Sequence, residues 1–226
     1  MPAAPSSPLV RPAALVFDLD GTLIDSRRDI TTAINSMRAG YRLPPLSLEQ
    51  VVTLVGEGAR VLIERAVGRE LPLSEIEPAL HIYLSKYDDI LLDSTRPYLG
   101  VPEMLAALAP VYPLALLSNK GVAQSRRILE GLGLASYFRL ILGGDSFPTR
   151  KPDPEGLHQM AERLGVPPSR LLLVGDTRID AATAQAAGCP FCLVEWGFPH
   201  PSALDGIAAD LRAKEPGEVS AALLAL

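Results

Sequence analysis

Short apolar runs that alternate with helix-patterned stretches constrain the fold of this chain more than any other feature. Five runs have the length of a strand and are apolar almost throughout. Continuously apolar strands separated by helices are typical of a parallel sheet covered by helices on both faces. The sequence therefore predicts the α/β class. The predicted strands are 13–17, 111–117, 139–142, 170–174 and 190–194, and the predicted helices are 101–108, 122–132, 154–164 and 179–187.

The alternation is interrupted between the first and the second predicted strand. Ser47 and Ser74 are followed three residues later by Gln50 and Glu77, a pattern typical of capping boxes at helix N-termini. We therefore predict that this stretch is helical, since it contains no convincing strand. Its predicted helices are 27–39, 48–55, 59–67 and 74–92.

A helical block that leaves a sheet at the carboxyl end of its first strand has the position of a lid. We therefore predict a second, smaller domain, joined to the sheet through residues 23–26 and 93–98. The predicted parts are a flexible leader of 1–12, an α/β core of 13–24 and 96–226, and an all-helical cap of 25–95.

Charge and hydropathy exclude several classes of protein. Lys and Arg number 21 against 26 Asp and Glu, so the net charge is −5. Without a basic excess, the chain is not a general nucleic-acid binder. No apolar run approaches the roughly 18 residues that a membrane-spanning helix needs. The proline-containing first 12 residues lack the pattern of a signal peptide, and we expect a cytoplasmic protein without membrane partners.

Two cysteines, Cys189 and Cys192, have the C-x-x-C spacing of a redox motif. Such a motif needs a strand that leads into a helix, whose N-terminus lowers the thiol pKa. Here a predicted helix ends at Gly188 and a predicted strand follows. We therefore predict that both thiols are buried and structural.

Polar side chains follow four of the predicted strands. The carboxyl ends of parallel strands share one edge of a sheet, where ligands bind. Taken singly, each group has an ordinary structural explanation, such as a solvated turn or a helix N-cap. Their occurrence at four separate strand ends favours a common functional site. The candidate residues are Asp18, Asp20 and Thr22 after the first strand, Ser118 and Asn119 after the second, Lys151 past the third, and Asp176 and Asp180 after the fourth.

The chemistry of this set points to a metal and a phosphate. Several carboxylates in one crevice cannot all stay ionised without a cation. The set offers only oxygen ligands, which favours a hard ion, and Mg²⁺ fits best. Lys151 and the Ser118 hydroxyl remain to hold phosphate oxygens. One carboxylate can then attack phosphorus while a second carries the proton.

The motifs DLDGT, SN, KP and GDTxxD, in that order, resemble those of the haloacid dehalogenase superfamily. The resemblance extends from Leu15 to about Gly197 and implies a Rossmann-like core. A helical insertion directly after the first motif is similar to the C1 cap subclass. The stretches DLDGTLIDS, VGEGARVLIERAVG and RPYLGVPEML resemble phosphoglycolate phosphatases, except that Leu99 stands where that group often has proline.

The resemblance implies roles for the acidic residues. Asp18 would be the nucleophile that forms an aspartyl-phosphate. Asp20 would protonate the leaving alcohol and then activate water. Asp18, the backbone carbonyl of Asp20, and Asp176 would bind Mg²⁺. Asp180 would belong to the metal site or orient Lys151.

The resemblance also implies roles for the remaining polar residues. Ser118 and Lys151 would hold the phosphoryl group, and Asn119 and Thr22 would support the geometry of that site. Dehalogenases and phosphonate-cleaving relatives do not need an acid at the position of Asp20. The implied substrate is therefore a phosphate ester or anhydride.

The substrate itself must be inferred from the predicted cap. Its segment Gly56-Glu57-Gly58 resembles a loop that approaches the active site, and Arg60 and Arg65 are candidates for pairing with a substrate carboxylate. We expect hydrolysis of 2-phosphoglycolate, by a monomer or a homodimer. The alternatives are a phosphatase of another small metabolite, such as a sugar phosphate or pyrophosphate, a β-phosphoglucomutase-like phosphotransferase, and a non-catalytic binding protein. The phosphotransferase ranks lower because such relatives often have Glu where this chain has Gly175.

Overall fold

A computed structural model describes residues 9–198 and 201–226. Parallel strands alternate with helices along most of this length. In chain order the elements are β1 (Ala14–Phe17), β2 (Ile24–Asp25), α1 (Arg27–Gly40), α2 (Leu48–Val52), α3 (Ala59–Val67), α4 (Ile76–Ile90), β3 (Arg96–Pro97), α5 (Val101–Leu108), β4 (Leu114–Leu117), α6 (Val122–Gly131), β5 (Phe138–Leu142), α7 (Glu155–Leu164), β6 (Leu171–Gly175), α8 (Arg178–Ala187), β7 (Phe191–Val194), β8 (Leu211–Ala213) and α9 (Pro216–Leu224).

The main sheet has six parallel strands in the order β5-β4-β1-β6-β7-β8. Successive side chains of a strand point to opposite faces. Accordingly, Leu15 and Phe17 join one buried apolar cluster, whereas Ala14 and Val16 join the other. Both faces are buried, which explains why the strand sequences are continuously apolar. The predicted α/β fold with a parallel sheet is confirmed.

Two strand predictions need correction. The second predicted strand begins at Leu114 rather than at residue 111, because Val111 and Tyr112 donate backbone hydrogen bonds to Leu108 in the turn that ends α5. The edge strand β8 was not predicted, since its three residues include an exposed arginine and show no apolar run. The following helix, α9, packs against α5 and β8.

Helices α1 to α4 occupy the predicted insertion, and α4 packs against both α1 and α3. The junctions with the sheet are themselves paired, because β2 and β3 form a two-stranded antiparallel ribbon. The sequence analysis did not predict this ribbon, whose strands of two residues are too short to show a pattern. It includes Asp25, so the insertion is not wholly without strand.

Of the two predicted capping boxes, one is confirmed and one is wrong. Ser47 caps α2, and its hydroxyl accepts from the backbone N–H of Gln50, whose side chain bonds back to Ser47. Ser74 instead lies within a 3₁₀ turn, and α4 begins after it, at Ile76.

The first eight residues of the predicted leader lie outside the described residues. Of the rest, Leu9 packs partly against the core and Pro12 is buried. Within the described ranges, no helix combines the length and apolarity that crossing a membrane requires.

Candidate active site

The parallel sheet brings the predicted strand-end residues to one edge. Asp18 directly follows β1, Ser118 follows β4 and Asp176 follows β6. Above this edge is a cavity of about 440 Å³. Six of the predicted site residues line it, whereas Thr22, Asp176 and Asp180 are fully buried behind its wall and Arg60 does not line it. The six are Asp18, Asp20, Arg65, Ser118, Asn119 and Lys151.

The loop after β1 is shaped around Asp176. Gly21 has φ of +89°, and a Cβ at this position would overlap the Asp176 carboxylate. Thr22 is fully buried, and its hydroxyl donates to Asp176 Oδ1 over 3.2 Å. Glycine and threonine in DLDGT thus hold the Asp176 side chain in place, and Thr22 does not face the cavity.

Three buried carboxylates form a cluster that could hold a cation. Asp18, Asp176 and Asp180 each offer one oxygen, and these oxygens lie within 4.8 Å of one another. Burial, followed by the Asp180 and Asp18 carboxylates, raises the pKa of Asp176 well above its ordinary value. Burial likewise raises the pKa of Asp18 to about 6, against the opposing effect of Lys151. A divalent cation would relieve this repulsion, so the donor set fits one.

Lys151 lies between two members of this cluster. Its Nζ is 2.8 Å from Asp18 Oδ1 and 2.6 Å from Asp180 Oδ1. Burial by itself would lower the pKa of Lys151, but the two carboxylates outweigh that effect and raise it. The side chain is therefore an ammonium, ready to meet an anion beside Asp18.

Asn119 fixes the loop that carries Lys151. Its Oδ1 accepts from the Lys151 backbone N–H over 2.9 Å, and its Nδ2 donates to the Lys151 carbonyl over 2.9 Å. The same Nδ2 donates to the carbonyl of Gly56 over 2.8 Å. Asn119 therefore links the sheet edge to the loop of Gly56, Glu57 and Gly58, which lines the cavity as expected.

Asp180 serves both Lys151 and the start of α8. Its Oδ2 accepts from the Thr177 hydroxyl over 2.6 Å, and the Thr177 hydroxyl in turn accepts from the Asp180 backbone N–H. Because this capping box fixes the Asp180 carboxylate, its Oδ1 points at Lys151.

Asp20 has different partners from Asp18. The Ser26 hydroxyl donates to Asp20 Oδ1, and the Lys120 ammonium lies 2.9 Å from Asp20 Oδ2. Lys120 also donates to Tyr87 Oη over 2.7 Å. The sequence analysis assigned no role to Lys120 or Tyr87. The position of Lys120 directly after Ser118-Asn119 could have identified it as a site residue. No sequence feature connects Tyr87 of α4 to the sheet.

Of the two arginines predicted to recognise the substrate, one lines the cavity and the other does not. Arg65 lines the cavity, half-exposed, and pairs with Glu57. Arg60 pairs with Glu64 and Glu77 and is not among the described residues that line the cavity. Aliphatic and aromatic side chains from α2 to α4 and the loop after α2 make much of the remaining wall, among them Val52, Val55, Leu62, Tyr83, Leu84 and Tyr87.

Several known proteins that are similar to this chain are named as phosphatases. The chain is 36% identical over 211 residues to a phosphoglycolate phosphatase of Chromobacterium violaceum, covering 91% of this chain and 94% of that enzyme. It is 35% identical over 193 residues to the N-acetylmuramic acid 6-phosphate phosphatase of Pseudomonas aeruginosa, covering 85% of each. The crystal structure of a predicted phosphoglycolate phosphatase from Haemophilus somnus superposes with a TM-score of 0.87 at 31% identity, covering 93% of this chain and 97% of that one.

The family comparison agrees with the motifs and with the fold. Residues 15–194 match the haloacid dehalogenase-like hydrolases as a continuous stretch. This range begins in β1 and ends with β7, so it includes every strand-end residue of the site. The chain belongs to the haloacid dehalogenase-like hydrolase family.

Proposed function

We propose that this chain is a Mg²⁺-dependent phosphatase that hydrolyses a small phosphate monoester through an aspartyl-phosphate on Asp18. The observation that carries the proposal is the arrangement around Asp18. A buried lysine and two further buried carboxylates surround this one side chain at the wall of the cavity. A phosphate needs cationic partners, and a carboxylate nucleophile needs to be held in place beside it.

In the first step, a carboxylate oxygen of Asp18 attacks phosphorus and the bond from phosphorus to the leaving oxygen breaks. Asp20, which shares the cavity wall with Asp18, gives its proton to that oxygen. In the second step, water attacks phosphorus, Asp20 takes the proton from the water, and the bond to Asp18 breaks. Lys151 and Ser118 hold the phosphoryl oxygens throughout.

The metal would be held by Asp18, Asp176 and the backbone carbonyl of Asp20, with Asp180 nearby. When bound, Mg²⁺ neutralises charge on the phosphoryl group and lets it approach the carboxylates. Lys151 offsets the negative charge of two of these carboxylates through its contacts with Asp18 and Asp180.

The first candidate for the substrate is 2-phosphoglycolate. Relatives named phosphoglycolate phosphatase support it, as does the presence of cationic side chains in the cavity wall. A sugar phosphate is the second candidate, favoured by the cavity volume of about 440 Å³ and by the relative that acts on N-acetylmuramic acid 6-phosphate. A phosphotransferase ranks lower, because such relatives often have glutamate at position 175, where a Cβ in this chain would lie 2.5 Å from Asp180 Cγ.

The proposal is tested by measuring release of inorganic phosphate from a panel of monoesters, with Mg²⁺ and then with excess chelator. We expect turnover that depends on Mg²⁺ and is highest with phosphoglycolate. Asp18→Asn should lower kcat by at least about a thousandfold while leaving the circular dichroism spectrum unchanged, because the amide cannot act as the nucleophile.

The exposed Asp89→Asn variant provides the matched control and should keep full activity. Normal turnover by Asp18→Asn would overturn the mechanism. Turnover of many esters with phosphoglycolate among the poorest would instead overturn only the substrate assignment.

A further inference from the structure

Lys120 is a largely buried cation of the cavity wall that has no part in the reaction steps proposed for Asp18, Asp20 and Lys151. Its side chain is 9% exposed, and its ammonium lies between Asp20 Oδ2, at 2.9 Å, and Tyr87 Oη, at 2.7 Å. The ammonium also lies over the Tyr87 ring, 4.6 Å from the centroid. Tyr87 is itself buried and stacks on Tyr83, with ring centroids 5.6 Å apart. Asp20 and Tyr87 together thus fix the position of the Lys120 ammonium.

We propose that Lys120 recognises the carboxylate of the substrate's leaving group and is the main determinant of specificity for phosphoglycolate over uncharged phosphate esters. This inference rests on the proposed phosphatase function and on Asp20 as the proton donor.

The geometry follows from the substrate's covalent structure. Asp20 must come within about 3 Å of the ester oxygen to give it a proton. In phosphoglycolate a single CH₂ group joins that oxygen to the carboxylate, so the carboxylate oxygens lie within about 4 Å of it by ordinary bond lengths. A cation that already contacts Asp20 is therefore within reach of the carboxylate.

The other cations of the cavity wall are less suitable. Lys151 is engaged by Asp18 and Asp180, where the phosphoryl group is transferred. Arg178 donates to the carbonyls of Ala203 and Asp205. Arg65 has a side chain that is 42% exposed, and its partner Glu57 takes no part in the proposed reaction, whereas Lys120 pairs with the proposed proton donor Asp20. Water screens an exposed charge far more than a buried one, so Lys120 should discriminate more strongly than Arg65.

The test compares two substrates with the same two-carbon skeleton, phosphoglycolate and 2-hydroxyethyl phosphate, which lacks the carboxylate. The quantity measured is the ratio of their kcat/KM values. Lys120→Met removes the charge at similar length and should lower this ratio about 10- to 100-fold, chiefly through KM for phosphoglycolate, as expected for a charge-assisted hydrogen bond. Lys120→Arg keeps the charge and should retain most of the preference.

Two further variants complete the design. Tyr87→Phe keeps the ring but removes the hydroxyl that holds Lys120, and should lower the ratio about two- to fivefold. It tests the same proposal if Lys120→Met does not fold. The exposed lysine variant Lys214→Met is the matched control, with no expected change in the ratio.

Equal losses on both substrates would overturn the proposal, since they would mean that Lys120 acts through Asp20 and not on the carboxylate. An unchanged ratio in Lys120→Met and Tyr87→Phe would also overturn it, as would a larger fall in Arg65→Met than in Lys120→Met. A wild-type enzyme without phosphate release, or without preference for phosphoglycolate, would instead contradict the proposed function itself.

Discussion

Asp18 and Asp20 are two residues apart, and the structure gives them separate surroundings. Asp18 directly follows β1, and its carboxylate contacts Lys151. The chain then turns at Gly21, and the Asp20 carboxylate contacts Ser26 and Lys120 instead. The proposed nucleophile and the proposed proton donor need different partners, and the short DxD spacing supplies two chemical environments from one turn.

Burial also determines how reactive the two cysteine thiols are. Cys189 and Cys192 are buried and free, as the order of helix and strand predicts. Burial raises the pKa of each thiol to about 12. At pH 8 the folded protein therefore holds almost no thiolate, which is the reactive form.

We accordingly predict that neither thiol reacts readily with Ellman's reagent in the native protein at pH 8. The rate should be at least about a hundredfold below that of the same chain in urea, where the ordinary thiol pKa of about 8.5 returns. Absorbance of the released thiolate measures both rates. Rapid reaction of the native thiols, or formation of a disulfide between them, would contradict this prediction.

At the scale of elements, the insertion of α1 to α4 is tied to the sheet where it enters and where it leaves. Asp29, in the first turn of α1, is buried and accepts hydrogen bonds from the backbone N–H groups of Ser94 and Thr95. The Thr95 hydroxyl donates to the same carboxylate over 2.7 Å. We propose that residues 25–95 act as a cap and that Asp29 holds its two connections together.

Replacing Asp29 tests this connection. Asp29→Ala leaves the two buried donors of Thr95, and the backbone N–H of Ser94, without their acceptor, and we expect it to lower the free energy of unfolding by about 2 to 4 kcal/mol. Asp29→Asn keeps an acceptor and should cost less. Urea unfolding followed by circular dichroism measures the change.

Asp89→Ala, on the exposed side of α4, is the control and should change the free energy of unfolding by less than about 0.5 kcal/mol. If Asp29→Ala were no more destabilising than this control, the proposed tie between the two connections would be wrong.

At the scale of the whole molecule, the carboxylate cluster couples stability to cation binding. Like charges on Asp18, Asp176 and Asp180 destabilise the folded chain, whereas a cation that binds only the folded state stabilises it by mass action. At a Mg²⁺ concentration of 100 times Kd this gain is about 2.7 kcal/mol.

We therefore predict that Mg²⁺ raises the Tm by about 5 to 10 °C at that concentration, given the size of the chain. Asp176→Asn should remove most of this shift. Thermal unfolding followed by circular dichroism, with KCl at equal ionic strength as the control, measures it. An equal shift with KCl, or the full shift in Asp176→Asn, would contradict binding at this cluster.

Local sequence patterns were enough to predict the α/β class, the parallel sheet and most residues of the candidate site. The fold follows from apolar runs that are buried on two faces. The site follows from polar groups placed directly after strands, such as Asp18, Ser118 and Asp176. The parallel arrangement then collects those groups at one edge whatever the details of packing.

Which parts of the insertion face that edge depends instead on tertiary packing. The contact of Tyr87 with Lys120, that of Asp29 with Thr95, and the pairing of β2 with β3 join residues distant in sequence. No periodicity or spacing encodes such contacts, because they depend on how α1 to α4 pack against one another and on the sheet. The cavity, and with it the selection of a substrate, is a product of that packing.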